Sequence, residues 1–322
     1  MPRVLNLEPE GYSADARAIL AAVADVEERA LDRKGLLLAV GDYDALIVRL
    51  RHQIDDDVFA AAPKLRAVAT ATTGLDHVDI EEAARRGIAI VSLKGETEFL
   101  RSIPATAELT WGLILSLTRH IPAAVTATRR GEWDRDAHIG VDLAGRTLGL
   151  IGLGRIGERV ARFGAAFGMT VIACDPARAS MPAGVTRAES LVTLAAASDV
   201  LSVHIPLDRS TERLVGRQVF EAMRPGSYFI NTSRGGVVDE EALVAALSAS
   251  RLAGASVDVF ADERSSAFAD SPLSAASRKF PNLIVTPHIG GASFDSMRAT
   301  EVFIARKLAS ILSNATQMQS SS

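Results

Sequence analysis

Apolar and polar positions alternate along the chain in two rhythms, short β-rich runs and longer amphipathic stretches at helical spacing, almost from end to end. Such alternation specifies parallel sheets with helices on their faces, so the fold class read from the pattern is α/β. In the first third the pattern predicts strands at 4–7, 36–40, 45–50, 66–72 and 88–92, with helices near 13–31, 55–62 and 78–86. A long helix is predicted from about 104 to 120. Pro104 stands near its start, Ile103, Leu109, Leu113 and Leu117 make a broad apolar stripe, and it is expected to join two domains. From Thr147 a second βα series begins, with the apolar runs TLGLIGL, TVIACD, VLSVHI, SYFINTS, GASVDV and NLIVTP, enough for a full doubly wound sheet.

Composition agrees with two folded domains and removes several classes of function. At 322 residues, 48% hydrophobic and 23% charged, the chain can bury two cores and is not disordered. With 35 basic against 39 acidic residues it has no basic field, so no nucleic-acid partner is expected. The start MPRVLNLEPEGYS has no charged region followed by an apolar one, and the longest apolar runs, at 36–40 and 112–117, fall far short of ~18 residues. A soluble protein with no membrane partner is expected. The lone Cys174 can form no internal disulfide and no multi-cysteine metal site, which fits a reducing cytoplasm. The tail NATQMQSSS is polar and expected to fray.

The sequence GLGRIG at 152–157 follows a predicted strand at 148–151 and opens a predicted helix at 158–167. In such a turn Gly152 permits the tight bend, Gly154 lets the backbone approach a pyrophosphate, and Gly157 lets the helix pack on its strand, with Arg155 and Ile156 between them. Asp175 ends the next strand, 18 residues beyond Gly157, where a carboxylate meets adenosine ribose hydroxyls. A carboxylate there repels a 2′-phosphate, so NAD (NADH) is favoured over NADP, with Arg155 and Arg178 as opposing charges.

Three residues fall at the carboxyl ends of successive strands of this second series, the edge where open α/β sheets bind ligands. His288 lies in TPHIGG after the strand at 283–286, Arg234 follows Asn231-Thr232-Ser233, and Glu263 follows the run at 254–260. Singly each is an ordinary loop residue; together they define a rim. His204 is expected to serve structure or cofactor contact, His77 to stabilise its loop, and His52, His120 and His138 to be surface or helix-end residues. No two histidines have ligand spacing, so no metal is expected, and the Ser-rich stretch at 265–277 holds no G-x-S-x-G elbow for a serine hydrolase.

The chain resembles the D-isomer-specific 2-hydroxyacid dehydrogenase family (formate/glycerate dehydrogenase-like) over nearly its whole length. The resemblance rests on DLAGRTLG at 142–149 running into the glycine turn, HIPL at 204–207, NTSRGGVVDEEAL at 231–243, GASVDVFADE at 254–263 and TPHIGGAS at 286–293. In the first domain TGLDHVD at 73–79 is similar to the family's substrate loop, and LIVR at 46–49 to the segment that brings an arginine toward the substrate. The resemblance implies hydride transfer between a nicotinamide and a small 2-keto or D-2-hydroxy acid. Arg234 would hold the carboxylate and polarise the carbonyl, His288 would supply the proton, and Glu263 would bond the far imidazole nitrogen. It further implies that Thr73, Gly74 and Leu75 bind the substrate carboxylate and that Asp258 receives the nicotinamide amide. His204, Ile205, Pro206, Thr232, His288 and Gly290 would line the cofactor.

The organisation implied is two Rossmann-like domains with doubly wound parallel sheets. Residues 1–103 begin a substrate domain, 104–289 form an inserted NAD-binding domain, and 290–322 return as a C-terminal helix, with the active cleft between domains and a homodimer as the expected assembly. No appended regulatory domain is expected after that helix. The sequence departs from the family at Arg264, where proline usually follows the glutamate, and at 93–103, where Lys94 and Arg101 resemble the branch that includes phosphite dehydrogenase. Arg49 and Arg101 together could bind a phosphate or phosphonate, so alternative readings are a dehydrogenase for a phosphorus-containing substrate (3-phosphoglycerate, phosphonopyruvate or phosphite) and a silent NAD(H)-sensing binding protein.

Overall fold

A computed structural model of the chain describes residues 1–261, 263 and 268–319. It divides into two compact units, Met1–Ile103 with Ser293–Ser322, and Pro104–Ala292. Arg264 and its missing proline lie outside the described residues.

In the first unit five strands, β1 (Arg3–Asn6), β2 (Asp25–Glu28), β3 (Ala45–Val48), β4 (Ala67–Thr70) and β5 (Ala89–Val91), form a parallel sheet in the order β2-β1-β3-β4-β5. Successive residues of these strands feed opposite faces. Val4, Ile47 and Ala69 pack on one face with Leu20 and with Ile304, Leu308 and Leu312 of the helix Phe294–Gln319, while Leu5, Leu46 and Val68 pack on the other with Leu36 and Phe59. Both faces are buried, as parallel sheets require.

The second unit carries β6 (Thr147–Ile151), β7 (Thr170–Cys174), β8 (Val185–Arg187), β9 (Val200–Val203), β10 (Ser227–Asn231), β11 (Leu252–Val257) and β12 (Leu283–Val285). All pair in parallel in the order β12-β11-β10-β9-β6-β7-β8. The order reverses at β6, which has β7 on one side and β9 on the other, so a crevice opens at the carboxyl ends of β6 and β9. Trp111 and Ile114 of the helix Ala105–Thr118 pack with Leu148, Leu150, Val200 and Ile230, and the opposite face closes over Phe220, Phe229 and Val257.

Three expectations about elements are corrected. The run at 36–40 is helical, not extended: the helix Arg33–Ala39 starts at Asp32, whose Oδ1 accepts from Gly35 N at 2.7 Å, and it buries Leu36 while leaving Leu38 80% exposed. A five-residue apolar run fits either periodicity, and here the cap decides. The predicted helix at 13–31 ends early, at Ala14–Ala21, and β2 follows as an edge strand whose polar residues carry no strand pattern. The second sheet gains β8, likewise a short, largely exposed edge strand.

Candidate active site

The glycine turn is set by steric contact. Gly152 has φ +86°, and a Cβ there would meet Ile205 Cγ2 at 2.5 Å and His204 O at 2.7 Å; a Cβ on Gly157 would meet Gly152 O at 2.4 Å. The loop after β9 therefore lies directly against the turn after β6, which places the backbone of His204, Ile205 and Pro206 on the crevice. Gly154, at the head of the helix Arg155–Ala166, has nothing within 4 Å of a Cβ, so its backbone is open to an approaching group. Asp175 follows β7 and reaches back, Oδ2 accepting from Leu153 N at 2.8 Å and Oδ1 from Ala177 N at 3.0 Å. Burial first, then the charge of Arg159, lowers the pKa of the Arg155 guanidinium. An open helix N-terminus, basic side chains and a carboxylate at the next strand end fit a dinucleotide: the turn at 152–157 would hold its pyrophosphate and Asp175 its adenosine ribose.

His204 donates its backbone N–H to Ile151 O at 2.8 Å and its Nε2 faces Ser202 Oγ at 2.9 Å. Burial pushes its imidazole down to about 3. Burial thus keeps the ring neutral. His77 is fully buried with Nε2 3.3 Å from Thr70 Oγ1, as a loop-stabilising group would be. His52, expected on the surface, is instead buried, and desolvation lowers its pKa.

The rim after β10, β11 and β12 is knotted by Asp258, which is 1% exposed. Its Oδ1 accepts from Thr286 Oγ1 at 2.6 Å and Ile289 N at 2.9 Å, and its Oδ2 from Gly290 N at 2.7 Å, while its carbonyl takes His288 N at 2.8 Å. Burial raises its pKa against these bonds. One carboxylate thus folds residues 286–290 around itself, and His288 is carried in the left-handed region at φ +52°. From there His288 Nδ1 meets both carboxylate oxygens of Glu263, at 3.0 and 2.9 Å, with both side chains largely buried.

Arg234 stands on the neighbouring strand exit. Asn231 ties its turn, Oδ1 accepting from Ser233 N and Nδ2 donating to Arg234 O at 3.0 Å. A Cβ on Gly235 would lie 1.9 Å from the carbonyl carbon of Phe260, so the Arg234 turn abuts the segment that leads to Glu263. Buried Glu240 fixes that segment, accepting from Ala261 N at 2.6 Å. Thr232 Oγ1 pairs with Thr110 Oγ1 at 2.8 Å, and Thr106 lies beneath Gly290. Asn231, Glu240, Thr106 and Thr110 were not singled out from sequence. Thr106 and Thr110, one turn apart on one face of the helix, are the signal that could have found two of them.

In the first unit Thr73 is exposed beside Gly74 and Leu75 in a loop held by Thr72 Oγ1, which donates to Gly74 O at 2.8 Å. Arg49 is tied to neighbours within its own unit. Its Nη2 donates to Glu8 O and Glu10 O at 2.6 and 2.7 Å, and the carboxylates of Glu8 and Glu301 lie 3.9 and 3.8 Å from the guanidinium. Arg101 is largely exposed and pairs with Glu98 at 3.2 Å. Among the described residues no cluster of three His, Cys, Asp or Glu side chains could hold a metal ion, and no helix is long and apolar enough to cross a membrane.

Residues 111–290, more than half of the chain, match the NAD binding domain of D-isomer specific 2-hydroxyacid dehydrogenases. Over 316 residues the chain is 34% identical to a D-3-phosphoglycerate dehydrogenase of Methanocaldococcus jannaschii, covering 97% of this chain but only 58% of that protein's length. Over 287 residues it is 34% identical to a hydroxypyruvate reductase of Thermotoga maritima, covering 88% of this chain and 90% of that one. A solved Thermus thermophilus protein superimposes with a TM-score of 0.85 at 33% identity, covering 97% of both chains.

Proposed function

Since the chain belongs to the D-isomer specific 2-hydroxyacid dehydrogenase family, we propose that it is an NAD(H)-dependent oxidoreductase that moves a hydride to or from C2 of a small 2-keto or D-2-hydroxy acid. The observation that carries the reading is the Glu263–His288 pair, at 2.9–3.0 Å, on the same sheet edge as Arg234 and the glycine turn. Bound NAD(H) supplies the hydride chemistry. Everything else is the work of this chain's own groups.

With Nδ1 held by Glu263, His288 has Nε2 left to exchange a proton with the substrate oxygen. In reduction the imidazolium gives that proton to the forming alkoxide while the Glu263 carboxylate stabilises the cation; in oxidation the neutral ring takes it back. Arg234 presents a planar fork of donors that matches a carboxylate and draws charge onto the carbonyl oxygen. In the first unit, the loop at Thr73, Gly74 and Leu75 is proposed as a carboxylate-binding loop. Asp258 has about one acceptor position left beyond its three loop contacts, enough for a nicotinamide amide. Thr232 and Gly290 border it.

A phosphorus-bearing substrate is not favoured, because the second anion would need Arg49, whose Nη2 already donates to the carbonyls of Glu8 and Glu10. We further propose a homodimer formed through the stretch that exposes Ile121, Val125, Trp133 and Ile139, and a cytoplasmic location in keeping with the unpaired thiol of Cys174. The test of the reaction is NADH oxidation with glyoxylate, hydroxypyruvate, pyruvate, phenylpyruvate and phosphonopyruvate, with phosphite tried in the oxidising direction. Turnover of a simple 2-keto acid supports the proposal. Intact NADH binding with no turnover of any of them would point to the dinucleotide-sensing alternative.

A further inference from the structure

The turn that follows β7 is held both from within and from the neighbouring strand. Arg178 N donates to Asp175 O at 3.3 Å, closing residues 175–178 into a tight turn. Arg187, on edge strand β8, then clamps that turn from outside, Nη1 donating to Asp175 O at 3.3 Å and Nη2 to Arg178 O at 2.7 Å. Its guanidinium is committed to backbone carbonyls and acts as a brace. Arg178 differs. Its backbone is fixed by the clamp, yet its side chain meets only another side chain, Nη2 donating to Glu158 Oε1 from the first turn of the helix Arg155–Ala166. Both partners of the pair keep a solvent face, at 31% and 42% exposure.

The local charges therefore stand in a row: the Asp175 carboxylate at the mouth of the glycine turn, the Arg178 guanidinium one tight turn away, and the Glu158 carboxylate on it. A 2′-phosphate on the adenosine ribose brings a charge of roughly −1.5 to −2 beside Asp175, and it is accepted only if a nearby arginine is free to meet it. We propose that Glu158 is a specificity-determining residue acting through Arg178: by neutralising and orienting that guanidinium it withholds the cation that NADP(H) requires, and so reinforces the choice of NAD(H) that Asp175 begins. The inference rests on the dinucleotide reading above. It assigns the preference to two carboxylates, one that would face the ribose and one that restrains the countercharge.

The test is direct binding, by isothermal titration with NADH and NADPH and with the fragments 5′-AMP and 2′,5′-ADP, on wild type, Glu158→Gln and the Glu158→Gln/Arg178→Ala double variant. In Glu158→Gln the ratio of NADPH to NADH affinity is expected to rise about tenfold, the worth of one charge-assisted contact, with NADH affinity near wild type as the check on folding. The double variant is expected to lose the gain, and the 2′,5′-ADP to 5′-AMP ratio to follow the same course. A ratio in Glu158→Gln within twofold of wild type, or a gain that survives loss of Arg178, overturns the role of Glu158 while leaving the dinucleotide reading standing. Failure of wild type to bind either dinucleotide overturns both.

Discussion

His288 and Glu263 are joined through one imidazole nitrogen, Nδ1 lying within 3.0 Å of both carboxylate oxygens. That arrangement fixes ring orientation and tautomer together, as an acid–base histidine requires. His288→Ala is expected to lower kcat by about 10²–10⁴-fold while leaving NADH affinity within a few-fold, as read by steady-state assay beside titration. Glu263→Gln keeps the shape but not the charge, and a fall of roughly 10–100-fold in kcat at little changed KM is expected.

Asp258 touches the loop that bears His288 at four points, three through its carboxylate. Asn in its place turns one acceptor into a donor facing a backbone N–H. Asp258→Asn is therefore expected to lose about 1–3 kcal/mol of stability and to lower kcat in parallel. Urea unfolding and turnover measured on the same preparation check it; stability lost at full activity would mean that the loop is not what positions His288.

His204 makes stability depend on acidity. Burial holds its folded-state value at about 3, below the ordinary ~6.5 of an unfolded chain. A depressed value means that its contribution is fully present above ~6.5 and is lost as the pH falls toward 3, because the unfolded state takes up a proton that the folded state refuses. Unfolding free energy is expected to drop by at most about 2 kcal/mol from this group between pH 7 and pH 5, and His204→Gln to flatten that slope. Denaturant midpoints at pH 7, 6 and 5 for both proteins decide it.

Arg49 lies beside the carboxylates of Glu8 and buried Glu301, whose own pKa burial raises. Arg49→Ala strands these acidic groups, and a loss of about 2–4 kcal/mol of stability is expected. Comparing phosphonopyruvate with pyruvate in a variant that still folds gives the second reading: the ratio of their kcat/KM values stays constant if Arg49 is structural and shifts if it meets substrate.

Trp133, 93% exposed near Ile139 in sequence, would be the centre of the proposed subunit contact. Trp133→Glu is expected to convert a dimer to a monomer in sedimentation velocity at micromolar concentration, with little change in the thermal unfolding of the isolated chain. A wild type that sediments as a monomer removes the premise.

What could be read from the chain before its fold was known follows a physical line. GLGRIG at 152–157 and TPHIGG at 286–291 were legible because each residue type answers a local steric or chemical demand, such as the contact between Gly157 and Gly152 O. The β2 and β8 strands were not, since an edge strand has one neighbour and few buried positions and so leaves little periodicity behind. The contacts of Arg49 were hidden for a different reason. An arginine after a strand looks alike whether it faces a substrate or its own neighbours, and its partners Glu8 and Glu301 lie 41 residues before it and 252 after. Long-range partners of that kind leave no local signature.

The left-handed backbone of His288 means that the residue sits in a conformation a glycine adopts more easily. His288→Gly would then relieve torsional strain on the order of 1 kcal/mol while removing the imidazole proposed as proton donor, so stability and turnover are expected to favour different residues at this position.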